Sequence, residues 1–272
     1  MSFEDVGRIW VTPENDAESV EIAKLLSERG ERRVLRTGQR WGATWAGLEP
    51  EIRAELERFV SPHGAGGTIY GIELAGPHRY GSRAVNIDHH SYTGDERSHQ
   101  LSSLEQVAAI LGGAPLTRWQ TLVALNDRGY IPAMTGSEAG ATAEEVAAVR
   151  RADRAAQGIT EAQEEAAARD LAERAEWSGD RVKVWCPEGS TAAHPDALYG
   201  RARMILLMSP GEWNYYGPGQ RDLAAVFDDD GEGAAELVST WCGGADEGGY
   251  FGIAAPGAGA QRRILDWFGR GQ

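Results

Sequence analysis

The stretch that most constrains this chain is residues 84–111, AVNIDHHSYTGDERSHQLSSLEQVAAIL. Val85 and Ile87 supply the β-branched residues of a short strand, which runs directly into Asp88-His89-His90. After a polar loop, Ser102-Ser103-Leu104-Glu105 opens an apolar-periodic helix. Three adjacent side chains able to hold a metal or move a proton, placed where a strand ends, are hard to explain as packing. The plain alternative is a solvated polar strand end.

Bulk properties limit the function classes. A chain of 272 residues can bury a sizeable core in one large domain or two modest ones. With 41 acidic against 27 basic residues, the net charge of −14 repels polyanions and argues against extended nucleic acid as a partner, while a local pocket for a small phosphorylated substrate stays allowed. No apolar run approaches a membrane span, and no apolar signal core opens the chain, so the expectation is a cytoplasmic protein with no membrane partner. Cys186 and Cys242 lack metal-like pairing and read as reduced thiols.

Residues 8–12 (RIWVT) read as a buried strand and residues 17–28 as a helix ending before Gly30. Between them, Glu14 and Asp16 fall at the carboxyl edge of a sheet, where open α/β sheets bind ligands. Helix capping by Asp16 and simple solvation of Glu14 are the competing readings. Residues 33–36 form a second strand. The following Thr37–Trp45 region, with Gln39, Arg40 and flanking glycines, is either a substrate loop or a turn with two buried tryptophan anchors. Residues 48–60 read as an acidic amphipathic helix. Residues 68–74 (TIYGIEL) form a strand in which Glu73 is costly to bury unless paired or bound to a metal. Residues 116–125 read as a helix leading into a turn with Asp127 and Arg128. From residue 142, two Ala/Glu/Arg-rich helices with capping-box starts (Thr142/Glu145 and Thr160/Gln163) run to about Trp177 as a connector. Strands at 181–186 and 204–209 then flank a polar segment containing His194, and a glycine-rich run including Gly243 and Gly244 follows near the C-terminus.

Taken together, the Asp-His-His triplet after an apolar strand and the Ser-Ser-x-x-Glu helix start resemble the DHH phosphoesterase superfamily. Its first motif, His-x-x-x-Asp-x-Asp-(Ala/Gly)-x-x-Ser, is similar to Glu14-Asn15-Asp16-Ala17-Glu18-Ser19, with Glu for the first Asp and Trp10 where the histidine belongs. Glu73 stands for the family's bridging Asp, and Asp127 for its fourth-motif Asp. The Gly243-Gly244 run is loosely similar to the glycine run of the family's substrate-binding domain, without its histidine. The resemblance implies Mn²⁺ (or Mg²⁺ or Fe²⁺) held by Asp16, Glu73, His89 and Asp127, with Glu14 and Glu73 left for a second ion. It implies that His90 contacts the substrate phosphate or protonates a leaving group, and that Asp88 orients the histidines. Arg40, Gln39, Arg128, His194, Gly243 and Gly244 are then the substrate-binding candidates.

The expected architecture is α/β: a DHH-like domain with a mostly parallel sheet over residues 1–140, a helical connector over 141–178, and a smaller α/β substrate-binding domain over 179–272. The expected function is metal-dependent hydrolysis of a small phosphorylated, nucleotide-like molecule. Two other readings fit the same residues. One is a non-catalytic ligand-binding or regulatory protein whose metal pair has decayed through Trp10 and the Asp-to-Glu changes. The other is a metal enzyme of non-phosphate chemistry.

Overall fold

The computed structural model describes residues 7–40, 42–61, 67–89, 91–92, 95–96, 100–113, 115–188, 191–228, 240–243 and 249–270. The chain divides into two compact units, Met1–Gly158 and Ile159–Gln272. Both are α/β, and the first carries a parallel sheet, in agreement with the fold class expected from the sequence.

In the first unit, β1 (Arg8–Pro13), β2 (Val34–Thr37), β3 (Thr68–Ile72) and β4 (Ala84–Ile87) pair in the order β2-β1-β3-β4, all parallel. Parallel strands need helical crossovers, which cover both faces, so their side chains alternate between two apolar layers. Ile9 and Val11 enter one layer with Leu56 and Phe59 of α2 (Pro50–Val60). Trp10 enters the other with α1 (Ala17–Glu28), α3 (Ser103–Ile110), α4 (Arg118–Thr135) and α5 (Ala143–Ala156). A short hairpin, β5 (Ser91–Tyr92) with β6 (Asp95–Glu96), lies between β4 and α3. Because β1 is flanked by β2 on one side and β3 on the other, the strand order reverses between β1 and β3, and the crevice at their carboxyl ends is the place where such sheets take ligands.

Two sequence expectations shift here. The helix expected over 116–125 runs on to Thr135, interrupted at Gly129 (φ −165°) and Tyr130 (φ 58°, ψ −150°). Asp127 is therefore a helical residue and not a turn aspartate. The strand expected to reach Leu74 stops at Ile72, because Glu73 takes φ 51° and turns out of the ladder while its N–H still donates to Ile87 O at 2.9 Å.

The second unit opens with α6 (Glu161–Glu173), so the two helices expected to form one connector fall in different units. The residues after Glu173 then turn into a strand, where helix was expected to about Trp177. Its sheet has the order β11-β12-β10-β9-β8-β7, from β7 (Ala175–Ser178), β8 (Arg181–Trp185), β9 (Met204–Met208), β10 (Glu212–Gly217), β11 (Thr240–Gly243) and β12 (Gly249–Ala254). Only the β8–β9 pair is parallel among the described strands. Leu171 of α6 and Leu198 of α7 (His194–Leu198) pack on one face. Leu223 of α8 (Gln220–Asp228) and Ile264 and Phe268 of α9 (Ala258–Gly269) pack on the other.

A buried carboxylate and histidine site in the first unit

Four donor side chains meet at the carboxyl edge of the first sheet. Ligand atoms of Glu18, Glu73, His89 and Asp127 all lie within 4.8 Å of one another. Each is brought by a different element: Glu18 by the first turn of α1, Glu73 by the turn out of β3, His89 by the segment after β4 and Asp127 by α4. His89 Nε2 is in hydrogen-bond contact with Asp127 Oδ2 and lies 3.7 Å from Glu73 Oε1. Glu73 Oε1 also accepts from Ser103 Oγ at 3.0 Å.

Glu18 is the member that sequence reasoning missed. It is 1% exposed, and its Oε1 accepts the Leu104 N–H at 3.0 Å, so it sits on the amino-terminal turn of its own helix and of α3. Two helix amino termini favour an anion there. Even so its carboxyl is held well above the ordinary range, first by burial and then by the negative charges of Asp127 and Glu73. Its second oxygen, Oε2, is buried with no hydrogen-bond donor. Carboxylates gathered this closely around a buried oxygen favour a proton or a cation among them. A signal was present in the sequence: Glu18 lies on the helix stripe of Ile22 and Leu25, where an acid is out of place.

A cavity of about 170 Å³ opens onto this group, lined by Asn15, Asp16, Glu73, Asn126, Asp127 and Arg150 among others. Asp16 caps α1 by accepting the Ser19 N–H at 2.7 Å, while Ser19 Oγ accepts the Asp16 N–H at 3.2 Å, so the capping reading of Asp16 holds alongside its place in the cavity wall. Its carboxyl is pushed up to about 6 by burial, with Asp127 adding to the rise. Across the cavity Asp153 accepts the Ala17 N–H at 3.1 Å and the Arg150 guanidinium at 2.7 Å. Arg150 also bonds Asn126 Oδ1 at 3.0 Å and lies over the Tyr130 ring at 4.5 Å.

The other sequence candidates are placed as follows. Glu14 is exposed and ion-paired with Arg36 at 3.0 Å, outside the four-donor group. Asp88 is buried, and its carbonyl accepts from Gln106 Nε2 at 3.0 Å. Gln39 pins its own loop, donating to Thr44 O and accepting the Thr44 N–H, each at 3.0 Å. Arg40 reaches Gln157 O at 3.3 Å. Arg128 pairs with Glu105 at 3.2 Å and Glu138 at 3.0 Å. His194 is buried in the second unit at 1% exposure, and Gly243 ends β11 there. His90 and Gly244 lie outside the described residues. Trp10, which takes the place of the motif histidine, is fully buried, stacked on Tyr70 with centroids 4.4 Å apart. Its Nε1 donates to Glu31, beyond the far end of α1. It is a core residue directed away from the cluster. The side chain that joins the group is Glu18.

The donor chemistry fits a divalent cation. Three carboxylates and one imidazole are hard-to-borderline ligands of the kind that suit Mn²⁺, Mg²⁺ or Fe²⁺, and the Glu18 Oε2 atom without a donor is satisfied by one. No protein-family model matches the chain, and no curated protein matches it. Among solved structures the chain is similar to PggH, a pGpG-specific phosphodiesterase from Vibrio, at 12% identity and a TM-score of 0.43, over 95% of this chain and 97% of that one. A likeness at that level says nothing of the chemistry, which rests on the side chains described above.

Proposed function

We propose that the first unit is a divergent phosphoesterase unit of the DHH type and that the protein is a metal-dependent hydrolase of a small phosphorylated, nucleotide-like molecule. The observation that carries this reading is the convergence of Glu18, Glu73, His89 and Asp127 at the sheet's switch point, where Glu73 and Asp127 also line the adjoining cavity. When bound, a Mn²⁺, Mg²⁺ or Fe²⁺ ion supplies Lewis acidity toward a phosphoryl oxygen and lowers the pKa of water. Glu18, Glu73, His89 and Asp127 would hold it, with Asp16 beside them in the wall.

The remaining groups support binding and proton handling. The Asn15, Asn126 and Gln157 amides line the cavity and can donate to phosphate oxygens. Arg150 stays oriented by Asp153 and Asn126, so its position is fixed before any ligand arrives. Asp16, with its carboxyl near 6, can take or give a proton near neutral pH. Glu14 is engaged by Arg36 and Trp10 is core, which favours one tight ion over a matched pair.

The test is metal analysis and calorimetric titration of the purified protein, followed by a panel of phosphate mono- and diesters with Mn²⁺. One tight ion per chain and metal-dependent hydrolysis, both lost in His89→Ala, are expected. A folded protein that binds no divalent ion at this site refutes the reading. An ion bound tightly with no phosphoester turned over would favour the ligand-binding alternative.

A further inference from the structure

A second set of donors meets inside the second unit, independent of the carboxylate group. Ligand atoms of Asp170, Cys186 and His194 all lie within 4.8 Å of one another, and the three residues are 4%, 1% and 1% exposed. They come from three elements. Asp170 lies in the last turn of α6, His194 opens α7, and Cys186 follows β8, where its N–H donates to Met208 O at 2.7 Å and fixes its place beside β9.

The His194 ring poses a proton problem. Nδ1 lies 3.2 Å from Thr191 O, a carbonyl that can only accept, so Nδ1 carries a hydrogen. Nε2 lies 3.3 Å from Asp170 Oδ2. With Nδ1 carrying a hydrogen, the approach of Nε2 to Oδ2 calls for either a second ring proton or a cation between the two atoms. The other Asp170 oxygen, Oδ1, is already oriented by Arg174 at 2.8 Å. Among the described residues Cys186 Sγ makes just a long 3.7 Å contact to Val184 O, so its sulfur is not committed to a strong partner. Two ligands each about 2.0 Å from one ion at a tetrahedral angle stand roughly 3.3 Å apart. The His194–Asp170 separation has that value.

We propose that Asp170, Cys186 and His194 form a binding site for a borderline-soft divalent cation of the zinc class, distinct in chemistry from the carboxylate site of the first unit. Thiolate and imidazole select such an ion over Mg²⁺ or Mn²⁺. The surroundings match the way proteins prepare metal ligands: the Thr191 carbonyl sets the histidine tautomer, and Arg174 orients the carboxylate. On binding, the Cys186 thiol loses its proton to solvent, and the three protein donors leave one tetrahedral position to an exogenous ligand. The ion would tie α6, the end of β8 and α7 together.

Cobalt reports on this site selectively, because only a thiolate ligand gives Co²⁺ an intense near-ultraviolet charge-transfer band, and the first unit's group contains no sulfur. Chelator-treated full-length protein titrated with Co²⁺ is expected to develop that band together with the visible bands of tetrahedral Co²⁺. The band should vanish in Cys186→Ser and persist in Cys242→Ser. Its absence from the wild-type protein, or its survival in Cys186→Ser, overturns the proposal. A measurement that needs no variant guards against misfolding. In the wild-type protein, Zn²⁺ should slow alkylation of Cys186, read by peptide mass mapping, relative to Mg²⁺, because a metal-bound thiolate is withdrawn from the reagent. Equal rates with the two ions overturn it as well.

Discussion

Replacing Glu18 with Gln changes one atom of a side chain that is 1% exposed, and the two roles that Glu18 can play respond in opposite directions. Without a cation, the buried carboxyl keeps its proton above the pH at which the same group ionises in the unfolded chain. A folded carboxyl with a raised pKa makes the folded state bind more protons than the unfolded one, so stability falls as pH rises above the ordinary Glu value. The slope is at most about 1.4 kcal/mol per pH unit. Gln has no such slope. Its Oε1 can still accept the Leu104 N–H, and its amide N–H gives Asp127 a permanent donor. For a unit of this size, about 1 kcal/mol moves Tm by roughly 2–4 °C. In chelator, Glu18→Gln should therefore melt close to wild type at pH 5 and progressively above it toward pH 8, by up to roughly 3–6 °C per pH unit. With Mn²⁺ the order reverses. Loss of a carboxylate ligand should cost at least the 10–100-fold in affinity that loss of an outer hydrogen-bond partner costs, about 1.4–2.8 kcal/mol of metal-derived stability. Differential scanning calorimetry with and without Mn²⁺ at three pH values reads both effects. A variant that is less stable than wild type in chelator at pH 8, yet binds Mn²⁺ as tightly, would show Glu18 to be a structural cap with no part in the site.

Asp16, pushed up to about 6 from an ordinary 3.8, should cost the metal-free protein stability between those pH values, on the order of 3 kcal/mol. Asp16→Asn, which keeps a competent helix cap, should flatten that part of the pH–stability curve, as followed by urea melts. Trp10→Ala should lose about 3–5 kcal/mol through the cavity left beside Tyr70, with the metal stoichiometry of the folded fraction unchanged in calorimetry. Loss of the metal with stability intact would place Trp10 at the site after all. Arg150→Met leaves Asp153 buried beside Asp16 and Asp127 without its cation, and should destabilise the first unit by about 3–5 kcal/mol in the absence of metal by chemical denaturation.

The parts of the molecule read most easily from the sequence are those governed by local rules. The α1 limits and the capping boxes at Ser102/Glu105, Thr142/Glu145 and Thr160/Gln163 are visible because a cap and its partner lie three residues apart. Glu73, His89 and Asp127 could be nominated from strand ends and a family likeness, and the fold brings them to one place. What was hidden depended on long-range packing. Glu18 interrupts an apolar stripe, but the partners it meets there are set only when α3 and α4 close over it. His194 looks like a polar loop residue until α6 and the end of β8 enclose it. Asp127 stays helical, where local sequence suggested a turn, because Asn126 and Arg128 on either side are held by Arg150 and Glu105.

The left-handed backbone at Glu73 bears on how this site can be lost. A long L side chain at φ 51° costs about 1–2 kcal/mol, and glycine is the residue that removes the cost. Glutamate and glycine codons differ by a single base. Along a lineage relieved of selection for the metal, the mutation that relaxes the β3 turn is thus one step away and also deletes the ligand. Position 73 is a ratchet, at which drift toward a more comfortable backbone erases the chemistry without unfolding the sheet.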